Sequence, residues 1–434
     1  MPAAARTARK INLRPTPGKP WLGRAAAAAA VLAVVVVLHV LRVDPVPVWF
    51  YVFAWYPTLA LVDLAVVRLG GDSLLGRPRR LAATLWWSAV IWFAFEALNF
   101  RMRTWYYVYL PDGLLERWVG ISLGFATVIP AILLPTRLLE RLELGNRLIT
   151  RPLRVRPLDL RFSQVAGVGA LGLALAVPHI FHPLVWGAVW LLAEPALYRR
   201  DPTVSLFGDL ARGRWDRIVR LLTAGAAAGL VWEGYNAAAR AGWVYTVPFL
   251  EEWKLFEMPV VGFLGFPFLA LEVWTLYHLL LPLTRPAIVA MGTVLSLVVL
   301  AGMDRWTVTS TTPRVAELPG VGTEAAAALE AAGLDDVFHL ADLPTGDLAQ
   351  RAGLDRDRAA SVSDAARVAA LRGIGTTHAT RLFAHGIRSI EALAAADPDT
   401  LAARLAGPPR PTPAEVRVWV RAAQYSAPRH ARRD

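Results

Sequence analysis

Two groups of residues recur along this chain with the same types at nearly the same spacing. The first is Glu96, Asn99, Arg103, Trp105, Tyr107 and Pro111, and the second is Glu233, Asn236, Arg240, Trp243, Tyr245 and Pro248. Both lie at the end of long apolar runs, where a carboxylate is costly unless it has a partner or a task. In each group Glu, Asn and Arg stand at i, i+3 and i+7, which predicts one face of a helix. The chemistry open to such a face is acid–base work or cation ligation by Glu, with Asn orienting it and Arg holding an anionic group or tuning the acid. The same residues also suit an internal clamp, with Glu and Asn bonding across helices and Arg reaching for the interface. The aromatic residues Trp105, Tyr106, Tyr107, Trp118, Trp243, Tyr245 and Trp253 are expected at the outer interface. They form either an aromatic belt or a stacking pocket for a polyene or lipid.

The second half adds Glu251, Glu252, Glu257 and Glu272, and Asp63 and Glu194 also stand in apolar runs. Glu272 lies in the middle of the run 268–281, with His278 six residues on. A deep carboxylate without a basic partner must be protonated, hydrogen-bonded or bound to a cation, and Glu272 is the leading candidate for a buried acid. Histidine is sparse in the membrane part (His39, His179, His182 and His278), and no His pair spans the repeat. No metal site is expected. The chain has no Walker loop, dinucleotide fingerprint or serine elbow. It has no cysteine either, so thiolate chemistry and disulfides are excluded. The sequence assigns no cofactor.

The elements that must position these residues are membrane helices. Of 434 residues 55% are hydrophobic, 17 are Trp, and the mean hydropathy is +0.41. Nine apolar spans are expected, near 25–40, 47–67, 81–100, 116–136, 163–180, 183–198, 218–238, 258–282 and 286–303. The run 25–40 reads as a retained first helix, because no small-x-small cleavage site follows it. The net charge of +12 sits in alternate loops: the basic tail, 68–80, 137–161 and 199–220. That alternation predicts a multi-pass protein of the cell (inner) membrane with a cytoplasmic N-terminus.

The expected organisation is a basic tail (1–24), two tandem four-helix membrane repeats (25–160 and 161–285), a ninth membrane helix (286–304), a soluble domain (314–425) and a tail (426–434). The repeats also share Trp49 with Trp186, Pro57 with Pro195, Gly76-Arg77 with Gly213-Arg214, Glu116 and Trp118 with Glu251 and Trp253, and Gly124-Phe125 with Gly265-Phe266. An even number of crossings gives both halves one orientation, and sites in such folds lie between the halves. By parity, nine crossings place the C-terminal domain outside, and a re-entrant late span would return it to the cytoplasm.

That domain repeats internally at an offset of 53. Gly320-Val321-Gly322 corresponds to Gly373-Ile374-Gly375, and Ala326, Leu329, Gly333, Leu334 and Leu340 to Ala379, Leu382, Gly386, Ile387 and Leu393. With Asp397-Pro398, these residues resemble tandem helix-hairpin-helix domains, such as the N-terminal regions of RadA-type recombinases and an uncharacterised bacterial helix-hairpin-helix family. The resemblance covers about a quarter of the chain and implies an all-α domain. The hairpin amides Gly320, Gly322, Gly373 and Gly375 are candidates for phosphate contact, with Arg372, His378, Arg381 and Arg388 near the second hairpin. The near-neutral charge of the domain argues against a nucleic-acid footprint and for docking a protein partner.

The paired carboxylates with Asn and Trp-x-Tyr are similar to membrane lycopene-cyclase and carotenoid-hydratase type proteins, in which acids protonate a polyene. The family's Pro-x-Glu-Glu element is absent, and Phe256-Glu257-Met258-Pro259 is not its equivalent. The resemblance implies an apolar isoprenoid or lipid ligand in the bilayer, with Glu233, Asn236, Glu272, Glu96 and Asn99 as candidate catalytic residues. Arg240, Trp243, Tyr245, Arg103, Trp105, Tyr107 and Glu257 are then candidate ligand contacts. Two alternatives stay open: a proton- or cation-coupled transporter using Glu272 and Asp63, and a non-catalytic scaffold that recruits through its helix-hairpin-helix domain.

Overall fold

A computed structural model describes residues 20–246, 253–405 and 411–430. Most of the basic tail, together with Pro248, Glu251 and Glu252, lies outside the described residues. The chain is all-α apart from two short ribbons, as expected. The membrane part comprises α1 (Pro20–Val40), α2 (Phe50–Arg68), α3 (Pro78–Met102), β1 (Trp105–Val108), α4 (Leu114–Phe125), α5 (Val128–Arg141), α6 (Pro157–Ala176), α7 (Pro178–Phe181), α8 (Val185–Arg200), α9 (Leu206–Ala211), α10 (Asp216–Ala238), β2 (Gly242–Tyr245), β3 (Lys254–Leu255), β4 (Met258–Pro259), α11 (Gly265–Leu280) and α12 (Pro286–Trp306). Among the described residues, eight helical spans are long and apolar enough to cross a membrane. The expected seventh span, α10, is a 23-residue helix of sufficient length that falls outside that set. Its composition explains this, since Ala, Gly, Glu233 and Asn236 dilute its apolar character.

The Arg-rich loops gather at one end of the bundle. There Thr150 N–H donates to Gly213 O at 2.8 Å, and Arg220 reaches Leu144 O at 2.8 Å. The ends of α3 and α10 turn into β1 and β2 at the opposite end. Helix α12 runs parallel to α3, with Gly292 against Trp86 and Gly302 against Phe100. The chain therefore leaves α12 on the β1/β2 face, opposite the Arg-rich loops.

Both strands form where a helix is stopped by its own Asn. Helix α3 ends at Met102, and Arg103 follows in a left-handed conformation, φ 51°. The Asn99 amide then takes over the chain, donating to Trp105 O at 2.9 Å and accepting from Thr104 N–H at 3.0 Å. Asn236 does the same for Trp243, accepting from its N–H at 3.0 Å and donating to its carbonyl at 2.9 Å. The two strands pair antiparallel, Trp105 opposite Tyr245 and Tyr107 opposite Trp243. Two expectations are corrected by this arrangement. Arg103 and Arg240 do not extend the helical faces of their Glu and Asn, because each helix ends first. Trp105, Tyr106 and Tyr107 are buried, not spread along an interface.

The C-terminal part consists of α13 (Gly322–Ala331), α14 (Val337–Asp342), α15 (Thr345–Ala352), α16 (Arg356–Ala370), α17 (Gly375–Ala384), α18 (Ile390–Ala394), α19 (Pro398–Arg404) and α20 (Pro413–His430). Each hairpin turns on glycines in the left-handed region, Gly320 and Gly322 at φ 76° and 72°, Gly373 and Gly375 at 98° and 67°. Side chains cap the helices that follow, Asp336 on α14, Ser389 on α18 and Asp397 on α19. Leu329, Leu340, Leu382, Leu393 and the fully buried Trp419 fill a core of their own. This domain rests on the β1/β2 face. The Tyr109 hydroxyl donates to Leu371 O at 2.6 Å, and Trp419 Nε1 donates to the Tyr106 hydroxyl at 3.3 Å.

Candidate functional site

The first copy is built around one carboxylate oxygen. Glu96 Oε1 accepts from Tyr107 OH at 2.6 Å, Trp105 Nε1 at 2.9 Å and Trp92 Nε1 at 3.1 Å. Two of these donors come from β1, which Asn99 presents, and the third stands one turn earlier on α3. The other oxygen, Oε2, is buried without a partner. Asn99 serves the strand backbone, so it positions Trp105 and Tyr107 for the acid.

The second copy has the same plan with fewer bonds. Glu233 Oε1 accepts from Tyr245 OH at 2.8 Å, and that hydroxyl accepts in turn from Trp243 Nε1 at 2.8 Å. Glu233 Oε2 is again buried and unpartnered. Position 229, which corresponds to Trp92, is Gly, and a Cβ there would collide with the Phe266 ring. The close crossing of α10 and α11 therefore removes the third donor.

The helix-hairpin-helix domain completes this copy. Arg372 donates to Asn236 O at 2.9 Å and to Asn236 Oδ1 at 3.2 Å, and it pairs with Glu257 at 3.2 Å. Arg240 pairs with Asp336 at 2.6 Å and lies over the Phe338 ring at 5.2 Å. Arg240 and Glu257 thus bind the C-terminal domain, whereas sequence reasoning had placed them on a ligand. Arg103 is exposed. A partner about a hundred residues away on another domain leaves no local signal, so neither Asp336 nor Arg372 was legible as part of this site.

Between the two halves lies a cavity of about 660 Å³. Its walls are aromatic and aliphatic. Trp92, Trp105 and Tyr107 line it from one half, and Trp186, Trp232 and Trp243 from the other. The Trp-x-Tyr residues of both strands therefore belong to a pocket. Trp92 and Trp232 pack with centroids 5.5 Å apart. Sequence reasoning missed Trp92, Trp190 and Trp232 and marked Trp186 only as the counterpart of Trp49, although Trp92 precedes Glu96 by one helical turn and Trp232 adjoins Glu233. Among the described residues, no Asp, Glu, Lys or Arg lines the cavity. The two acids stand behind the Tyr and Trp residues that do.

The remaining deep acids each hold a break or loop. Glu272 Oε1 accepts from Gly187 N–H at 2.6 Å and Val189 N–H at 3.2 Å, where α8 is interrupted at Trp186 and Gly187. Asp63 accepts from Ser73 and from Leu74 N–H, and Glu194 from Ser205, Thr275 and Phe207 N–H. His179 is exposed while His182 is buried against the cavity, so this i, i+3 pair does not converge.

The hairpin glycines differ between the two repeats. A Cβ on Gly373 would meet the Tyr106 hydroxyl, and one on Gly375 the Ser310 side chain, whereas Gly320 faces open space. The second hairpin is therefore pressed against the membrane part. Of the basic residues expected around it, Arg372 is engaged by Asn236 and Glu257. His378 is buried against Trp419, with ring centroids 4.7 Å apart.

Residues 366–407 match the family described as a SAM-like helix-hairpin-helix tandem. No curated protein and no solved structure matches the chain. Fold and comparison together define a multi-pass membrane protein that carries a C-terminal helix-hairpin-helix module, of a type that binds protein or nucleic acid.

Proposed function

We propose that this protein binds an apolar isoprenoid or lipid in the cavity between two related four-helix units, with Glu96 and Glu233 organising its aromatic walls. The observation that carries the reading is the uncharged, Trp-lined cavity of about 660 Å³, within the roughly 300–1,000 Å³ of small-molecule sites. Aromatic faces offer dispersion and π contact to a chain or polyene. Among the described residues, a cation or an anion would find no counter-charge on these walls. That favours a lipid binder over the cation-coupled transporter, and Asp63 and Glu272, its proposed couplers, are held by loop and backbone donors. The symmetric pairing of β1 with β2 supports a duplicated unit whose halves share one orientation. With the Arg-rich loops cytoplasmic in a cell (inner) membrane, the helix-hairpin-helix domain sits outside. Its second hairpin is taken up by its own chain, so the module acts first as a lid on the β1/β2 face and leaves the first hairpin for a protein partner.

A second reading adds acid–base modification of the ligand, with Glu96 or Glu233 as acid and Tyr107 or Tyr245 as the group between acid and cavity. The observation favouring it is the unpartnered Oε2 on both glutamates. The test of the binding reading is native mass spectrometry with lipid extraction on the purified protein, wild type beside Ile121→Trp, which fills the cavity from α4. A co-purifying apolar ligand lost in the folded variant supports the reading. A folded wild type with nothing bound, or a ligand retained by Ile121→Trp, overturns it. The acid–base reading is tested by Glu233→Gln and Glu96→Gln, which should retain the ligand but leave it chemically unchanged.

A further inference from the structure

We infer that His182 is the polar anchor of the cavity, accepting a hydrogen bond from the hydroxyl of an otherwise apolar ligand, so that the site takes an isoprenoid or lipid alcohol in preference to a hydrocarbon. The inference rests on the reading of the cavity as a ligand site and adds the chemistry of the ligand's end group.

His182 follows α7, where the chain turns before the interruption in α8. Its side chain is 6% exposed and lines the cavity. Nδ1 lies 3.1 Å from Pro178 O. A carbonyl oxygen only accepts, so Nδ1 carries the hydrogen and the neutral ring keeps its lone pair on Nε2. Among the described residues no hydrogen bond reaches Nε2, so its lone pair is left for a ligand donor in a largely apolar cavity.

Several other polar side chains of the walls are satisfied, while the Tyr51 hydroxyl, on α2, is buried without a partner. Tyr107 OH and Trp105 Nε1 donate to Glu96, Tyr245 OH donates to Glu233, Trp243 Nε1 donates to Tyr245, and Trp49 Nε1 donates to Glu116 at 2.9 Å. Trp190 Nε1, on the wall that follows His182, is buried without an acceptor. This wall thus offers one acceptor and one donor. A hydroxyl is the neutral group that both donates and accepts. A diphosphate, carboxylate or ammonium end group would be buried with no opposite charge among the described lining residues, which disfavours it.

The test compares three probes of equal length with the purified protein in nanodiscs: geranylgeraniol, its methyl ether and the corresponding hydrocarbon. Binding is read by native mass spectrometry and by quenching of the cavity tryptophans. Wild type should bind the alcohol about tenfold more tightly than the other two, the value of one buried neutral hydrogen bond. His182→Leu should abolish that preference, and His182→Gln, which keeps an acceptor, should restore part of it. Equal binding of all three probes by wild type overturns the anchor while leaving the cavity reading intact. Failure of all three to bind overturns the cavity reading itself. The methyl ether needs no variant, so an unfolded His182→Leu does not remove the test.

Discussion

The Glu96 and Glu233 sites use the same residue types and differ in what completes them. Around Glu96, three neutral donors converge on one oxygen, all from α3 and β1. Around Glu233 a single hydroxyl reaches the acid, and the helix-hairpin-helix domain engages the neighbouring Asn236 and Arg240 through Arg372 and Asp336. The first copy is self-contained, and the second depends on a domain some hundred residues further on. Clusters of the same residue types therefore need not have the same surroundings. One cluster is held within α3 and β1, while the other is in contact with the C-terminal domain.

The sharpest way to break this comparison is to remove each acid in turn. Glu96→Ala leaves two indole N–H groups and a phenol buried without an acceptor, at about 1–3 kcal/mol each. We expect a loss of about 3 kcal/mol or more, read as the larger drop in thermal midpoint. Glu233→Ala strands one donor directly and should cost about 1–3 kcal/mol. Equal losses, or the reverse order, would remove the distinction between the copies.

Acid should act on the docked domain next. Burial pushes the His378 imidazole down to about 4, against Trp419 and beside the docking face. The unfolded chain binds a proton near pH 6.5 and the folded one does not, so stability is complete above about 6.5 and falls as pH drops toward 4. The loss is about 3 kcal/mol at most. Glu415, raised by burial, works in the opposite sense, losing stability as pH rises. Unfolding followed from pH 7 to 4 in wild type and His378→Gln separates the two, because the variant should lose the His-linked part of the slope.

Arg372→Met tests the coupling itself. It removes bonds to Asn236 and Glu257, and we expect a loss of about 2 kcal/mol. Faster proteolysis between α12 and α13 should accompany it, with quenching of Trp243 affected before that of Trp92. Unchanged proteolysis would separate the second copy from the domain. The smallest effect belongs to Arg42→Ala, whose pair with Asp342 at 3.1 Å is half exposed and worth about 0.5 kcal/mol. These contacts also mean that deleting 314–434 strips partners from Asn236 and Arg240, so such a truncation does not cleanly separate a scaffold from a binder.

Much of this arrangement was legible in the residues. The spacing of Glu, Asn, Trp and Tyr announced two equivalent sites, and Gly-x-Gly with Asp397-Pro398 announced the hairpins. The strands were not legible, because four residues following a helix carry no periodicity to separate them from an interfacial loop. The role of Asn99 and Asn236 was hidden for the same reason, since their partners are backbone groups of those strands. Extending the helical face to Arg103 and Arg240 ignored that an Asn near a helix end competes for the backbone. The cavity depended on tertiary packing. Of its tryptophans, Trp105 and Trp243 were visible through the Trp-x-Tyr pattern and Trp92, Trp190 and Trp232 only as part of an excess of Trp, and His182 was visible only as half of a pair.

The central claim is that the space between the two halves holds an apolar ligand. An electron cryo-microscopy map of the full chain in nanodiscs of its native lipids tests it most directly. The account predicts elongated density among Trp92, Trp186 and Trp232, ending beside His182. A cavity closed by its own side chains, or a well-resolved cavity with no such density, would contradict it.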